Sequence, residues 1–196
     1  MRVGVVGVQG AYSEHVEVVD LALRRSGRHG SVIVVREPYD LEKVDAAMIP
    51  GGESTTISKL LVKSGLFDKI RRRGQEGMPI LGTCAGCILL SKEAGDQAER
   101  TRTRLLSLMD MKVDRNAFGR QRESFEALLT IEGFAEPFRG VFIRAPAIID
   151  VWGDCKPLSR FNDRIVLARQ GTLVGAAFHP ELGGDTRFHE WFLSLI

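Results

Sequence analysis

Cys84, His179 and Glu181 are the residues of this 196-residue chain whose types and spacing suit nucleophilic catalysis. Gly82-Thr83-Cys84-Ala85-Gly86 has the Gly-x-nucleophile-x-Gly form of a nucleophile elbow, with Cys where many hydrolases carry Ser. Such a turn is so tight that side chains flanking the nucleophile would clash, and glycine tolerates its strained backbone. The nucleophile then opens a helix, where the dipole and the free N–H groups favour a thiolate and can hold an oxyanion. The plain alternative is a buried cysteine beside a glycine-rich turn, because short glycine motifs recur by chance. Cys84-Ala85-Gly86-Cys87 is also a C-x-x-C that opens a helix after a strand, so a thioredoxin-like thiol oxidoreductase is a rival on local grounds. A zinc site is weaker, since no second Cys pair or paired His lies at ligand spacing, and no metal is expected.

Phe178-His179-Pro180-Glu181 supplies a base and its orienter. His179 ends an apolar run from Leu173 to Phe178, and Pro180 biases it toward extended geometry. In an extended segment residues i and i+2 point to the same side, which places Glu181 to hydrogen-bond the imidazole. That bond would fix the tautomer and leave the other ring nitrogen facing the thiol. A strand-end His beside a surface Glu is the alternative. The joint occurrence with Cys84, nucleophile before base, favours a Cys-His-Glu triad. His15, His29 and His189 fall in helices or polar turns and read as solvated. An oxyanion hole needs two donors, and the backbone N–H of Ala85 is one. Pro50-Gly51-Gly52-Glu53-Ser54 is the loop expected to give the second, from Gly52, although a tight turn capped by Ser54 explains the same glycines.

These residues need a frame that brings positions about a hundred apart together. The first half alternates short apolar runs with amphipathic stretches, the pattern of β-α units around a parallel sheet. Val3 to Val8 reads as a central strand, followed by a helix capped by Ser13 with Val16, Val19 and Leu23 on one face and Gly27 at its end. Ser31–Val35, Ala46–Ile49 and Pro79–Leu81 read as further strands, with helices through Ile57, Leu60 and Leu61 and over Leu66–Arg73. The second half predicts strands at Leu105–Val113, Ala127–Ile131, Val141–Ile143 and Ile148–Trp152. Ile165–Arg169 and Thr172–Phe178 then flank Gln170-Gly171 as a hairpin. A last helix carries Phe188, Trp191, Phe192 and Leu195. The fold class is α/β, a three-layer sandwich around a mainly parallel sheet with an antiparallel extension, in one domain spanning 1–196.

Composition fits that frame: 44% of residues are hydrophobic and 27% charged, which excludes a disordered or collagen-like chain. The net charge of +2 gives no reason to expect nucleic acid or an anionic membrane as partner. Three cysteines, Cys84, Cys87 and Cys155, make no secreted disulfide framework, and the opening apolar run is too short for a signal peptide or a membrane span. A cytoplasmic protein is expected.

Taken together, Pro50–Ser54, Gly82–Gly86 and His179-Pro180-Glu181 resemble the class I, triad-type glutamine amidotransferases, whose sheet is flavodoxin-like. Gln9-Gly10-Ala11, Arg115-Asn116-Ala117-Phe118-Gly119-Arg120-Gln121 with Ser124-Phe125-Glu126, and Phe142-Ile143-Arg144-Ala145-Pro146 narrow the match. The set resembles the glutaminase-subunit family of pyridoxal 5'-phosphate synthases over essentially the whole chain. The resemblance implies hydrolysis of L-glutamine to L-glutamate and ammonia with no cofactor. The ammonia would pass to a synthase subunit within a large hetero-oligomer. It also implies Cys84 as nucleophile, His179 as base and Glu181 as orienter. Gly52, Glu53, Ser54, Arg115, Ile143 and Arg144 match glutamine-binding positions, and Gln9 matches a residue near the oxyanion site and the subunit contact. Cys87 stands where the family is usually apolar and reads as a small buried hydrophobe. Gly183-Gly184 departs from the family's polar residues, and the charged Gln97–Arg104 stretch reads as a surface turn. A glutaminase subunit of another amidotransferase, a dithiol oxidoreductase and a non-catalytic binding module are the competing readings.

Overall fold

Alternation within short apolar runs decides how this chain is layered. The computed structural model describes residues 1–95, 100–115 and 124–196. In chain order the elements are β1 (Arg2–Val6), α1 (Tyr12–Arg25), β2 (Ser31–Val35), the one-turn α2 (Pro38–Leu41), β3 (Ala46–Ile49), α3 (Ser54–Lys63) and α4 (Leu66–Gln75). There follow β4 (Ile80–Thr83), α5 (Ala85–Leu90), β5 (Ser91–Glu93), β6 (Met109–Asp114), β7 (Ser124–Leu129) and β8 (Phe138–Ile143). β9 (Ala147–Val151), β10 (Lys156–Phe161), β11 (Arg164–Gln170) and β12 (Leu173–Ala176) lead to a 3-10 turn, Pro180–Leu182, and to α6 (Arg187–Leu193).

Among the described residues the main sheet runs β2-β1-β3-β4-β12-β11-β9-β6-β5, with β10 beside β11. Pairing is parallel from β2 through β12 and turns antiparallel across β11, β9 and β6. β7 and β8 pair only with each other, as a separate antiparallel ribbon. Because strand side chains alternate, Val3, Val5, Ala46, Met48, Leu81 and Val174 face one layer, made of α1, α6 and the ribbon. Val6, Ala47, Ile49 and Ile80 face the opposite layer of α2, α3, α4 and α5. The result is the three-layer α/β sandwich with an antiparallel extension.

Local details depart from the sequence reading for identifiable reasons. Ser13 does not cap α1; Ala11 precedes the helix, and Ser13 lies within the first turn with its hydroxyl on Glu14. Strand structure starts only at Met109, because the N–H groups of Leu106 and Leu108 are taken by the carbonyls of Leu89 and Leu90 at the end of α5. The hairpin loop is Gly171-Thr172, one residue later than read, since Gln170 still pairs with Leu173. β5, β10 and α2 were not expected; each is short, and β5 and β10 carry charged residues. The Asn116–Gln121 motif lies outside the described residues, as does Gln97–Glu99 of the charged stretch. Among the described residues no helix is long and apolar enough to cross a membrane.

The largest correction concerns two histidines. The buried face of α1 is His15, Val18, Val19, Ala22 and Leu23, and that of α6 includes Phe188, His189, Phe192 and Leu193. His15 and His189 are therefore core residues with no solvent exposure, their rings 5.6 Å apart edge to face, whereas His29 is exposed as read. Neither ring nitrogen of His189 has a hydrogen-bond partner among the described residues. Burial, helped by the neighbouring His15, drives the His189 imidazolium down from 6.5 to about 3.

The unfolded chain takes up a proton at His189 near pH 6.5 that the folded chain refuses until about pH 3. Acid therefore favours unfolding progressively below pH 6.5, by about 2 kcal/mol from this one group at pH 5. Replacing His189 with Phe should keep the melting temperature at neutral pH and shrink its fall on acidification, measured by calorimetry at about pH 7.5 and pH 5. An unchanged fall would count against the buried neutral imidazole.

Candidate active site

The carboxyl ends of adjacent parallel strands deliver the candidate residues to one place. β4 pairs with β12 so that Gly82 faces Gly175 and Thr83 faces Ala176, and β3 pairs with β4 so that Ile49 faces Gly82. Beyond those pairs lie Cys84, His179 and the Gly51-Gly52 loop. Crevices beyond the carboxyl ends of such strands are where open α/β sheets take ligands.

Cys84 forms the turn between β4 and α5 with φ 49° and ψ −102°. That backbone is unfavourable for a residue bearing Cβ, by roughly 1–3 kcal/mol, and the surroundings must hold it. They do so through the Cys84 N–H, which donates to the Ala176 carbonyl at 2.8 Å, and the Cys84 carbonyl, which accepts from Ile88 N–H at 3.2 Å. Both flanking glycines are sterically required: a Cβ on Gly82 would lie 2.5 Å from the Gly86 carbonyl carbon, and one on Gly86 would overlap the Ile49 carbonyl oxygen. The small-residue rule of the elbow is thus a packing rule of this turn. Ala85 occupies the first helical position, where its N–H has no intrahelical acceptor.

His179 follows Phe178, which is fully buried among Phe138, Phe142 and Phe188 with ring centroids 5.5–6.0 Å away. Its N–H donates to the Val141 carbonyl on β8 at 2.8 Å, tying the chain to the ribbon. Nδ1 of His179 lies 2.7 Å from Glu181 Oε1, the imidazole and Cys84 both border Gly51, and both His179 and Glu181 are only 7% exposed. The pair meets as the spacing predicts, although Glu181 sits in the 3-10 turn Pro180–Leu182 and not in a continuing strand. Burial works against charge on His179, but its neighbours Cys84 and Glu181 outweigh it and lift the imidazolium to about 10. Burial likewise works against the Glu181 carboxylate, and His15 and His179 together hold it below the usual carboxylate range.

Around this group lies a cavity of about 380 Å³ lined by Gln9, Gly52, Glu53, Ser54, Cys84, Ala85, Ile88, Arg115, Ile143, Arg144, Pro146 and His179. Every residue named from the sequence as a substrate or oxyanion candidate is in that lining; Glu181 stands behind His179, outside it. Gly51 passes so close to His179 and Cys84 that a Cβ there would overlap His179 Cε1. Its carbonyl accepts from Ala11 N–H at 3.2 Å, and Glu53 N–H donates to Gln9 Oε1 at 3.1 Å, so the loop is tied to the segment after β1. Arg115 reaches Thr55 and Thr101, each at 3.4 Å, at the mouth of the cavity. Among the described residues no cluster of three or more His, Cys, Asp or Glu side chains could hold a metal. Sequence reasoning missed His15, whose Nε2 lies 3.3 Å from Glu181 Oε2, as well as Thr83, Ile88 and Pro146. The signal for His15 was present: positions 15, 18, 19, 22 and 23 form one helical face.

The chain as a whole is similar to known proteins. Residues 5–196 match the model of the SNO glutamine amidotransferase family. The chain is 52% identical over 194 residues to pyridoxal 5'-phosphate synthase subunit PdxT of Thermococcus onnurineus, covering 98% of each. Against the PdxT of Archaeoglobus fulgidus identity is 52% over 195 residues, covering all of this chain and 98% of that one. A crystal structure of a glutamine amidotransferase, 44% identical, superposes with TM-score 0.88 over 98% of this chain and 97% of its own. A glutamine amidotransferase of Thermotoga maritima, 16% identical, shares the fold with TM-score 0.65 over 99% of this chain and 81% of its own.

The three thiols are all free but unequal. Cys84 lines the cavity; Cys87 is fully buried, which drives its thiol well above the usual range, and burial with nearby Asp110 pushes Cys155 up to about 11. Limiting iodoacetamide on the native protein should alkylate Cys84 and spare Cys87 and Cys155, as read by peptide mass spectrometry. Label on Cys87 ahead of Cys84 would contradict this ordering.

Proposed function

The chain belongs to the SNO glutamine amidotransferase family, and from that premise we propose that it is the glutaminase subunit of a pyridoxal 5'-phosphate synthase. It hydrolyses L-glutamine to L-glutamate and ammonia and passes the ammonia to a synthase subunit for pyridoxal phosphate formation. The observation that carries the reading at the level of chemistry is the Cys84–His179–Glu181 alignment at the floor of a cavity whose walls carry both charge signs.

In this reading the Cys84 thiolate attacks the side-chain carboxamide carbon of glutamine, forming a tetrahedral adduct. The backbone N–H groups of Ala85 and Gly52 hold its oxyanion. His179, protonated near neutral pH, gives its proton to the departing nitrogen, so ammonia leaves and a thioester remains. A water then attacks the thioester, His179 takes its proton as base, and glutamate is released with the thiolate restored. Glu181 supports the imidazolium through each half without entering the cavity. Glu53 and the guanidinium groups of Arg115 and Arg144 suit the zwitterionic end of an amino acid, with Ser54 and Ile143 completing the wall. Gln9 holds the Gly52-Glu53 backbone and is the residue through which a docked synthase would reach the oxyanion loop. Free thiols support a reducing, cytoplasmic location.

The dithiol reading is disfavoured by the complete burial of Cys87, which leaves its thiol protonated and inaccessible for exchange. The test is glutamate release by the subunit with and without its synthase partner. Hydrolysis should rise on adding the synthase, and Cys84→Ala should remove it by roughly four to six orders of magnitude in turnover. Cys87→Ser should leave turnover per folded molecule nearly unchanged. Persistent hydrolysis by Cys84→Ala in the complex would overturn the assignment of the nucleophile.

A further inference from the structure

His15 belongs to no catalytic motif, yet it is a fully buried imidazole pressed against the candidate triad from behind. It comes from α1, on the layer opposite the elbow helix. Its Nε2 stands 3.0 Å from Thr83 Oγ1 and 3.3 Å from Glu181 Oε2. Thr83 immediately precedes Cys84, and Glu181 is the partner of His179. A single ring nitrogen therefore touches both the strand end that leads into the elbow and the carboxylate behind the base. Oε2 of Glu181 has no hydrogen-bond partner among the described residues, so the 3.3 Å approach of His15 Nε2 is a close polar contact and not a hydrogen bond, while Oε1 is committed to His179.

We propose that His15 is a positioning residue for glutamine hydrolysis, its Nε2–H, bonded to Thr83 Oγ1, bearing on Glu181 Oε2 by close charge–dipole contact and holding the carboxylate against His179. The inference rests on the glutaminase reading given above. The tautomer follows from what faces the ring. A carboxylate offers only acceptors, so an unprotonated Nε2 would set its lone pair against an anion at 3.3 Å. With the proton on Nε2, that N–H bonds the Thr83 hydroxyl and keeps its positive end beside Glu181, and Nδ1 is the nitrogen left without a partner, as observed. The charged and titratable groups facing His15 are Glu181 from the 3-10 turn, His179 ahead of it, Glu14 on α1 and His189 on α6. Burial is the dominant influence and keeps His15 neutral, so it acts as a fixed donor and not as a second base. A buried carboxylate with one oxygen unheld could rotate away from His179 during the two proton transfers. With the His15 N–H close against the second oxygen, it stays aligned through them.

Wild-type, His15→Leu and His15→Gln subunits, each assembled with the synthase subunit, would be compared in glutamine hydrolysis across the pH range. Leu removes the donor and keeps the bulk, whereas the amide nitrogen of Gln can reach the place of Nε2. For His15→Leu we expect kcat to fall about 10-fold, the low end of what a polar contact with a buried charge is worth. KM should hold, since His15 lies outside the cavity lining. The acid limb of the kcat profile should move toward neutral pH, because Glu181 without that N–H beside it protonates more easily, and His15→Gln should recover most of kcat and the original limb. Wild-type kcat in His15→Leu, or a change confined to KM, would overturn the proposal, as would a folded His15→Gln no better than His15→Leu. If the Leu variant does not fold, nitrogen-15 NMR of the histidines in the wild-type subunit decides. A neutral His15 protonated at Nε2 upholds the proposal, and protonation at Nδ1 alone overturns it. A wild-type complex that releases no glutamate would instead overturn the glutaminase reading itself, and this inference with it.

Discussion

The hydrogen bond from Cys84 N–H to the Ala176 carbonyl is the contact on which the rest of the site depends. It is the last rung of the parallel β4–β12 ladder, and it joins chain segments more than ninety residues apart in sequence. Beyond it one strand bends into the strained elbow and the other runs through Phe178 to His179. A register slip by one residue would turn every side chain to the wrong face and carry the imidazole away from the thiol. The register is protected on both faces, by Leu81 and Val174 toward α1 and α6 and by Ile80 and Leu173 toward the other helices. The geometry of the site is thus inherited from the packing of the sheet.

Electrostatics then divide the labour among groups that differ little in burial. Cys84, His179 and Glu181 are each less than a tenth exposed. A lone ion at any of them would be costly, but in series each charge is answered by the next. His189, equally buried, has no such partner and is held neutral. The contrast between His179 and His189 shows that burial alone does not set the state of an imidazole here. Glu181 bonded to Nδ1 offsets burial at His179, whereas at His15, close to the same carboxylate but without a hydrogen bond to it, burial prevails.

How much of this was legible in the sequence depended on the range of the interaction concerned. The elbow was readable because its constraint is local: Gly82 and Gly86 are demanded by atoms within the same turn and by Ile49 next door. His179 and Glu181 were readable from spacing, even though a 3-10 turn achieves what an extended strand was expected to do. The central strands were readable from their uninterrupted Val, Ile and Ala, as strands covered on both faces must be. β5 and β10 escaped notice because edge positions tolerate charge, so their composition resembles a loop. His15 was misread because the apolar face was drawn through Val16, Val19 and Leu23, whereas the buried face runs 15-18-19-22-23 and takes the histidine inward. The cap assigned to Ser13 failed because the segment after β1 is spent on tying down Gly51, which leaves Ala11 to open the helix.

The buried carboxylate of Glu181 has a bearing on how such a domain can evolve. In many active sites the working residues are a burden on the fold, and losing them gains stability at the expense of activity. Here the groups that balance Glu181 are themselves the proposed base and its backing histidine. Removing one partner of a buried ion pair destabilises by about 3–5 kcal/mol, a large share of a typical domain's margin. A lineage that lost His179 while keeping Glu181 would keep an unanswered charge in its core. Decay into an inert scaffold would therefore require loss of the acid before, or together with, the base.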